Sequence, residues 1–178
     1  VGVQGDTLVL GLSAPAPIAL LDDRLADTKP GDIIEHCPAL HGIGQTISAK
    51  IETHGGAALI IDYGDWRSQG DTLQAMQNHA AANPFANPGL ADLTAHVDFE
   101  AIAKAARSFT RVTQQGIFLE RLGLTARARA LAKGLTDTAL EAHIAAHRRL
   151  THPDEMGTLF KVIGLYPTIG APPPGLEP

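Results

Sequence analysis

Ala57-Ala58-Leu59-Ile60-Ile61-Asp62-Tyr63-Gly64 is the stretch that decides the fold. Its continuous apolar run, without alternation, predicts a strand buried on both faces, as in a parallel sheet covered by helices. The run stops at Asp62-Tyr63-Gly64, where the glycine lets the backbone turn sharply. Upstream, Leu40, Ile43, Ile47 and Ile51 recur at three- and four-residue steps and mark one buried face of a helix. Pro38 suits the first position of that helix, because its missing N–H would be unpaired there anyway, and Cys37 reads as the N-cap. Gly55-Gly56 permits the left-handed turn that ends it. A helix over 38–54 followed by a strand over 57–62 forms the second half of a crossover unit, so the fold class is α/β.

Outward from this unit the signals weaken. Asp6 to Leu12 reads as a short strand or half of a hairpin, and Pro15, Pro17 and Pro30 frame a loop-rich stretch. Asp32 to Glu35 is a brief extended run. Residues 65–97 read as irregular, with one short helical run around Leu73 to Met76; so long an excursion after a central strand is usually functional or mobile. Asp98 caps a helix whose apolar side carries Phe99, Ile102, Ala103 and Ala106. Thr110 to Thr113 is β-prone, and Phe118 to Leu122 makes another helical turn. Thr138 to Glu141 has the capping-box pattern and opens a helix to about Leu150. Leu159 to Tyr166 is the last strand. We expect residues 1–167 to be a portion of one domain and 168–178 a proline-rich tail.

Composition narrows the function classes. The 178 residues are 44% hydrophobic and 19% charged, ordinary for a soluble globular protein, and their formal charge of −5 argues against binding nucleic acid through phosphate neutralisation. Arg121, Arg127, Arg129 and Lys133 are spaced as the solvated face of a helix. A single cysteine, Cys37, leaves no intramolecular disulfide and fits a reducing compartment. No apolar run approaches the roughly 20 residues that cross a bilayer. The opening Val1-Gly2-Val3-Gln4 has neither an initiator methionine nor a helix cap, and we read the chain as a piece of something longer.

Asp62 is the residue that physics alone singles out. It ends an apolar strand, and open α/β sheets bind ligands outside the carboxyl ends of their strands; the alternative is that it caps a turn. Asp92, Thr94, His96 and Asp98 alternate, so an extended chain would place them on one face. They could serve acid–base or metal chemistry, or could satisfy loop backbone and a helix cap. His79 is nearby in sequence. No second ligand group lies at zinc-like spacing, and no metal is expected. His36, Cys37 and His41 do not form a convincing ligand set either. Gly42-Ile43-Gly44 lies inside the predicted helix rather than after a strand, so it is no nucleotide loop and instead allows close packing against the sheet. Walker-type loops and nucleophile elbows are absent from the sequence.

These residues resemble the MidA family. Glu35-His36-Cys37-Pro38, the block Gly55 to Gly64, Asp71-Thr72-Leu73, His79, and Pro88-Gly89-Leu90-Ala91-Asp92-Leu93-Thr94-Ala95-His96-Val97-Asp98-Phe99 occur in that family's order. Phe118-Leu119, Leu122-Gly123 and Met156-Gly157 come next in the same order, so the resemblance runs from about Gly31 to Pro167. It implies a class I methyltransferase-like (Rossmann-like) sheet with one antiparallel final strand. In that sheet 57–62 would be the fifth strand, 110–113 would lie near the sixth and 159–166 would be the reversed seventh. The implied cofactor is S-adenosyl-L-methionine, held mainly by a glycine-rich loop and an acidic strand end that this chain does not contain. The missing N-terminal half of the same protein is therefore an expected partner.

The mitochondrial branch of the family is associated with arginine dimethylation of a respiratory complex I subunit. The resemblance thus implies a protein substrate, in the mitochondrial matrix for a eukaryotic member. Alanine-rich, compact loops favour a bacterial member, which would be cytoplasmic. Carried onto this chain, Asp62 and Glu35 become candidates for anchoring a guanidinium or a loop, because a carboxylate pair holds that planar group in one orientation. Tyr63, Gly64, His79, Asp92, Thr94 and His96 become candidates for the substrate side. Two other readings share these residues: an assembly or binding protein that keeps the fold without chemistry, and a small-molecule methyltransferase.

Overall fold

The computed structural model describes Val1–Pro178. In chain order its strands and α-helices are β1 (Gly2–Gln4), β2 (Thr7–Val9), α1 (Leu40–His54), β3 (Ala58–Asp65), β4 (Gln74–Gln77), β5 (Ala80–Ala82), β6 (Asp92–Thr94), β7 (Val97–Asp98), α2 (Phe99–Ala105), β8 (Thr113–Gln114), α3 (Gln115–Arg121), α4 (Leu124–Ala132), α5 (Asp137–Thr151) and β9 (Phe160–Leu165). They fall into two units, one made of Val1–Glu35 with Gln69–His96, the other of His36–Ser68 with Val97–Pro178.

The larger unit is built on a sheet of order β7-β3-β9-β8. β9 runs antiparallel to β3 in unbroken register from Ala58 opposite Leu165 to Tyr63 opposite Phe160. It also runs antiparallel to β8, with Thr113 opposite Val162. β7 is parallel to β3 but meets only its end, at Gly64 and Asp65. On one face of the sheet, Ile163 and Leu165 pack with Ile51 of α1 and with Phe99, Ile102 and Ala103 of α2, and Ala58 and Ile60 lie against this cluster. Burying Phe99 fully is worth about 2–3 kcal/mol. On the other face Val162 meets Phe118 of α3 and Leu176. Leu176, in the segment beyond 167, is thus part of the core, and Thr168 fastens that segment further by donating both N–H and hydroxyl to Glu52 at 2.8 and 2.6 Å. These bonds hold the Glu52 carboxyl below its ordinary value.

Several expectations need correction. β3 is covered on one face only: Leu59 and Ile61 are 47% and 43% exposed, and along Ala58–Tyr63 the strand pairs with β9 alone. An apolar run reports that a strand is built for burial on both faces, not what covers it. α1 starts at Leu40, later than the proline suggests; Cys37 supplies its carbonyl to the Leu40 N–H, and no side chain caps the helix. α5 starts at Asp137 with φ +50°, ahead of the Thr138–Glu141 box, and its N-cap Thr136 makes no side-chain cap bond. Asp98 does cap α2, its Oδ1 accepting from Ala101 N at 3.0 Å.

The smaller unit holds the β1–β2 hairpin, a short 3-10 segment at Ala19–Arg24, and a three-stranded antiparallel sheet of order β5-β4-β6. Gln74–Gln77 is therefore a strand, where a short helical run was expected. Asn78 and His79, both at positive φ (53° and 62°), form the two-residue turn joining β4 to β5. This is the primed hairpin turn that matches strand twist.

Gly44 is where a missing side chain sets helix packing. A Cβ there would stand 2.6 Å from the Ala105 Cβ, so the glycine brings α1 onto α2 rather than onto the sheet. Gly42, one residue before Ile43, faces open space. Urea denaturation should therefore separate the two: Gly44→Val costs about 1–3 kcal/mol through overpacking, whereas Gly42→Ala is neutral or stabilises by up to about 1 kcal/mol. Equal effects would contradict this packing.

Candidate functional site

The candidate residues divide between the units. In the larger one Asp62, Tyr63 and Gly64 occupy the carboxyl end of β3, the position from which open α/β sheets meet ligands. One carboxylate oxygen of Asp62 accepts the Tyr63 N–H at 2.8 Å. Tyr63 stacks edge-on against Phe160 with ring centroids 5.3 Å apart, which fixes the ring on the face opposite Asp62. Gly64 lies against the Val97 backbone, and a Cβ would overlap the Val97 carbonyl. Only glycine lets β7 come alongside there.

The turn beyond β3 is held firmly. Arg67 donates to both carboxylate oxygens of Glu100 at 2.9 Å, a bidentate pair, and Lys104 meets the same carboxylate at 3.0 Å. Glu100 N donates to Trp66 O at 2.8 Å, and Ser68 N donates to Asp98 at 3.4 Å. Trp66 lies near Phe109, centroids 6.4 Å apart. The turn leaving the strand is thereby pinned to the first turn of α2. Burial pushes the Glu100 carboxyl up, but hydrogen bonds from Arg67 and Lys104, together with their charges, outweigh it and hold the group below its ordinary value.

In the smaller unit Glu35, Thr72 and His96 converge. The Thr72 N–H donates to Glu35 Oε1 at 3.0 Å and the Thr72 hydroxyl donates to Oε2; His96 N in turn donates to Thr72 Oγ1 at 2.8 Å. Glu35 is thus tied to a loop through both of its oxygens. Asp92 and Thr94 belong to β6, and the strand alternation places them on one face. His79 is an exposed turn residue, distinguished by its backbone rather than by a partner. His36, Cys37 and His41 are all exposed.

Arg67, Ser68, Thr72 and Glu100 escaped notice as site residues in the sequence. Arg67 and Glu100 are 33 positions apart, and Glu35 and Thr72 are 37 apart. No local pattern links such pairs. The available signals were Thr72 inside the Asp71-Thr72-Leu73 block and Glu100 two residues into a capped helix.

An antiparallel last strand inserted between β3 and β8, with helices on both faces, is the closing end of a class I methyltransferase-like sheet. The family profile described as "Putative S-adenosyl-L-methionine-dependent methyltransferase" matches residues 4–118, and the chain belongs to this family. Among curated relatives, protein arginine methyltransferase NDUFAF7, mitochondrial, of Xenopus laevis is 35% identical over 146 residues, covering 79% of this chain and 33% of the relative. The human protein of that name is 30% identical, covering 76% and 32%. A crystal structure from Burkholderia thailandensis with bound S-adenosyl-homocysteine superposes with a TM-score of 0.71 at 32% identity, covering 88% of this chain and 43% of that one. The chain spans about a third of the length of the curated relatives it matches.

The Glu100 cluster makes a prediction about acid stability. A carboxyl depressed in the fold contributes stability that is fully present above its ordinary value of 4.5 and is lost as pH falls through the folded-state value. Glu100→Gln should therefore lower stability clearly at pH 7 and much less at pH 3, in urea melts at both. An equal loss at the two pH values would contradict the ion-pair account.

Proposed function

We propose that this chain is the substrate-side portion of an S-adenosyl-L-methionine-dependent methyltransferase acting on a protein arginine. The single observation that carries the reading is β3. Its carboxyl end carries Asp62-Tyr63-Gly64-Asp65, and over Ala58–Tyr63 it has one open edge and one open face, marked by Leu59 and Ile61. Open edges and exposed apolar faces are normally covered. In our reading the N-terminal half of the complete protein adds its strands there and brings the glycine-rich cofactor loop. The residues present fit an acceptor wall rather than a cofactor cradle, since they offer a carboxylate at a strand end and no glycine-rich loop after a strand.

The cofactor, when bound, supplies an electrophilic sulfonium methyl group. The chain's own residues do the rest by positioning and by handling the proton. Asp62 uses its second oxygen to accept a hydrogen bond from the guanidinium and then the proton released from its nitrogen. Asp92, Thr94 and His96 contact the acceptor protein, and Glu35 secures the loop that carries them. Similarity to mitochondrial proteins named protein arginine methyltransferase NDUFAF7 supports arginine as the acceptor and a mitochondrial site of action in a eukaryote; a complex I subunit as its bearer is what the MidA resemblance implies. A bacterial member would act in the cytoplasm.

The test uses the complete protein with a labelled methyl donor and a complex I subunit as acceptor. The product should be dimethylarginine. Asp62→Asn should lower transfer at least about a hundredfold while S-adenosylhomocysteine still binds. Full transfer by that variant would remove Asp62 from the mechanism, and label found elsewhere than on arginine would overturn the acceptor.

A further inference from the structure

We infer that Thr72, locked by Glu35, is a positioning residue that sets the register of the segment Asp92–His96. This inference rests on the reading of that segment as the acceptor side. In the β4–β6 ladder Gln74 faces Thr94 and Met76 faces Asp92, so two residues beyond the ladder Thr72 stands opposite His96. There the His96 N–H goes to the Thr72 hydroxyl oxygen, and a side chain extends the ladder past its last backbone pair.

Hydrophobic burial gives this register little support, since Ala75 is the one buried apolar side chain of β4 and its partner Leu93 is not buried. A strand slipped by one residue turns every side chain to the other face, and slippage is resisted where one face is buried. β6 is three residues long, its Leu93 is 60% exposed, and Met76 on the facing strand is 46% exposed. Thr72 itself is 8% exposed and makes bonds of fixed polarity. A carboxylate only accepts, so the Thr72 hydroxyl donates its hydrogen bond to Glu35 and leaves an oxygen lone pair for the His96 N–H. The charge-assisted bonds from Thr72 N–H and hydroxyl make this the strong link of the sheet. A neighbouring bond from Gly70 N to Ile33 O, at 2.9 Å, holds the same two segments side by side.

Three stretches far apart in sequence are thus tied at one hydroxyl, close to the points where the chain leaves or re-enters the smaller unit, at 35, 69 and 96. A slip of β6 would turn Asp92, Thr94 and His96 together to the opposite face. Losing the hydroxyl should therefore damage recognition of the acceptor protein and spare the cofactor.

The experiment compares Thr72→Val, Thr72→Ser and Glu35→Gln in the complete protein. Steady-state methyl transfer, S-adenosylhomocysteine binding and hydrogen exchange at the His96 amide are read for each. Thr72→Val should raise KM for the acceptor about tenfold or more, leave S-adenosylhomocysteine binding within about twofold, and speed His96 exchange. Thr72→Ser should restore all three to near wild type. If Thr72→Val does not fold, Glu35→Gln should show the same split at smaller size. Unchanged acceptor KM, unchanged His96 exchange, or a parallel loss of S-adenosylhomocysteine binding would overturn the inference. Should the wild-type protein transfer no methyl group to arginine, the functional reading fails, while His96 exchange still decides the role of Thr72.

Discussion

The antiparallel pairing of β3 with β9 is the constraint on which the larger unit depends. Its six-residue register, Ala58 to Tyr63 against Leu165 to Phe160, determines which side chains share a face. Ala58, Ile60, Ile163 and Leu165 then meet α1 and α2, while Val162 meets α3 and Leu176. Slipping the register by one residue would send Ile163 and Leu165 away from Phe99 and expose the best-buried part of the core. The same pairing sets Asp62 and Tyr63 on opposite faces at the strand's end, with Tyr63 steadied by Phe160.

Polar interactions take over where the sheet stops. Past β3 the chain is secured by the Arg67–Glu100 pair and by a backbone bond to the start of α2, so the turn after the strand is held largely by polar contacts. In the smaller unit the apolar contribution is modest, and the Glu35–Thr72–His96 bonds provide the definition. Directional bonds of this kind specify geometry better than burial does, which suits segments that must present particular groups.

Much of the larger unit was legible in the sequence because its signals are local. The apolar run gave away β3, the three- and four-residue recurrence of Leu40, Ile43, Ile47 and Ile51 gave away α1, although Ile43 is 55% exposed and does not share the buried face, and Asp98 gave away the start of α2. The smaller unit was not legible. Gln74-Ala75-Met76-Gln77 carries helix formers, and its hairpin turns on Asn78-His79 rather than on the asparagine–glycine pair that announces such turns. Exposure of Leu59 and Ile61 could not be foreseen either, since an apolar run encodes readiness for burial and not the presence of a neighbour. Asp62 was visible by its place at a strand end, whereas the partnership of Glu35 with Thr72 was invisible because it joins residues 37 positions apart.

The most direct test of the account is a crystal structure of the complete protein with S-adenosylhomocysteine. It should show strands from the N-terminal half paired along the open edge of β3, Leu59 and Ile61 covered, and the ligand's sulfur opening toward Asp62-Tyr63-Gly64. A sulfur placed near the Ala58 end of the strand, or Leu59 and Ile61 still facing solvent, would contradict it.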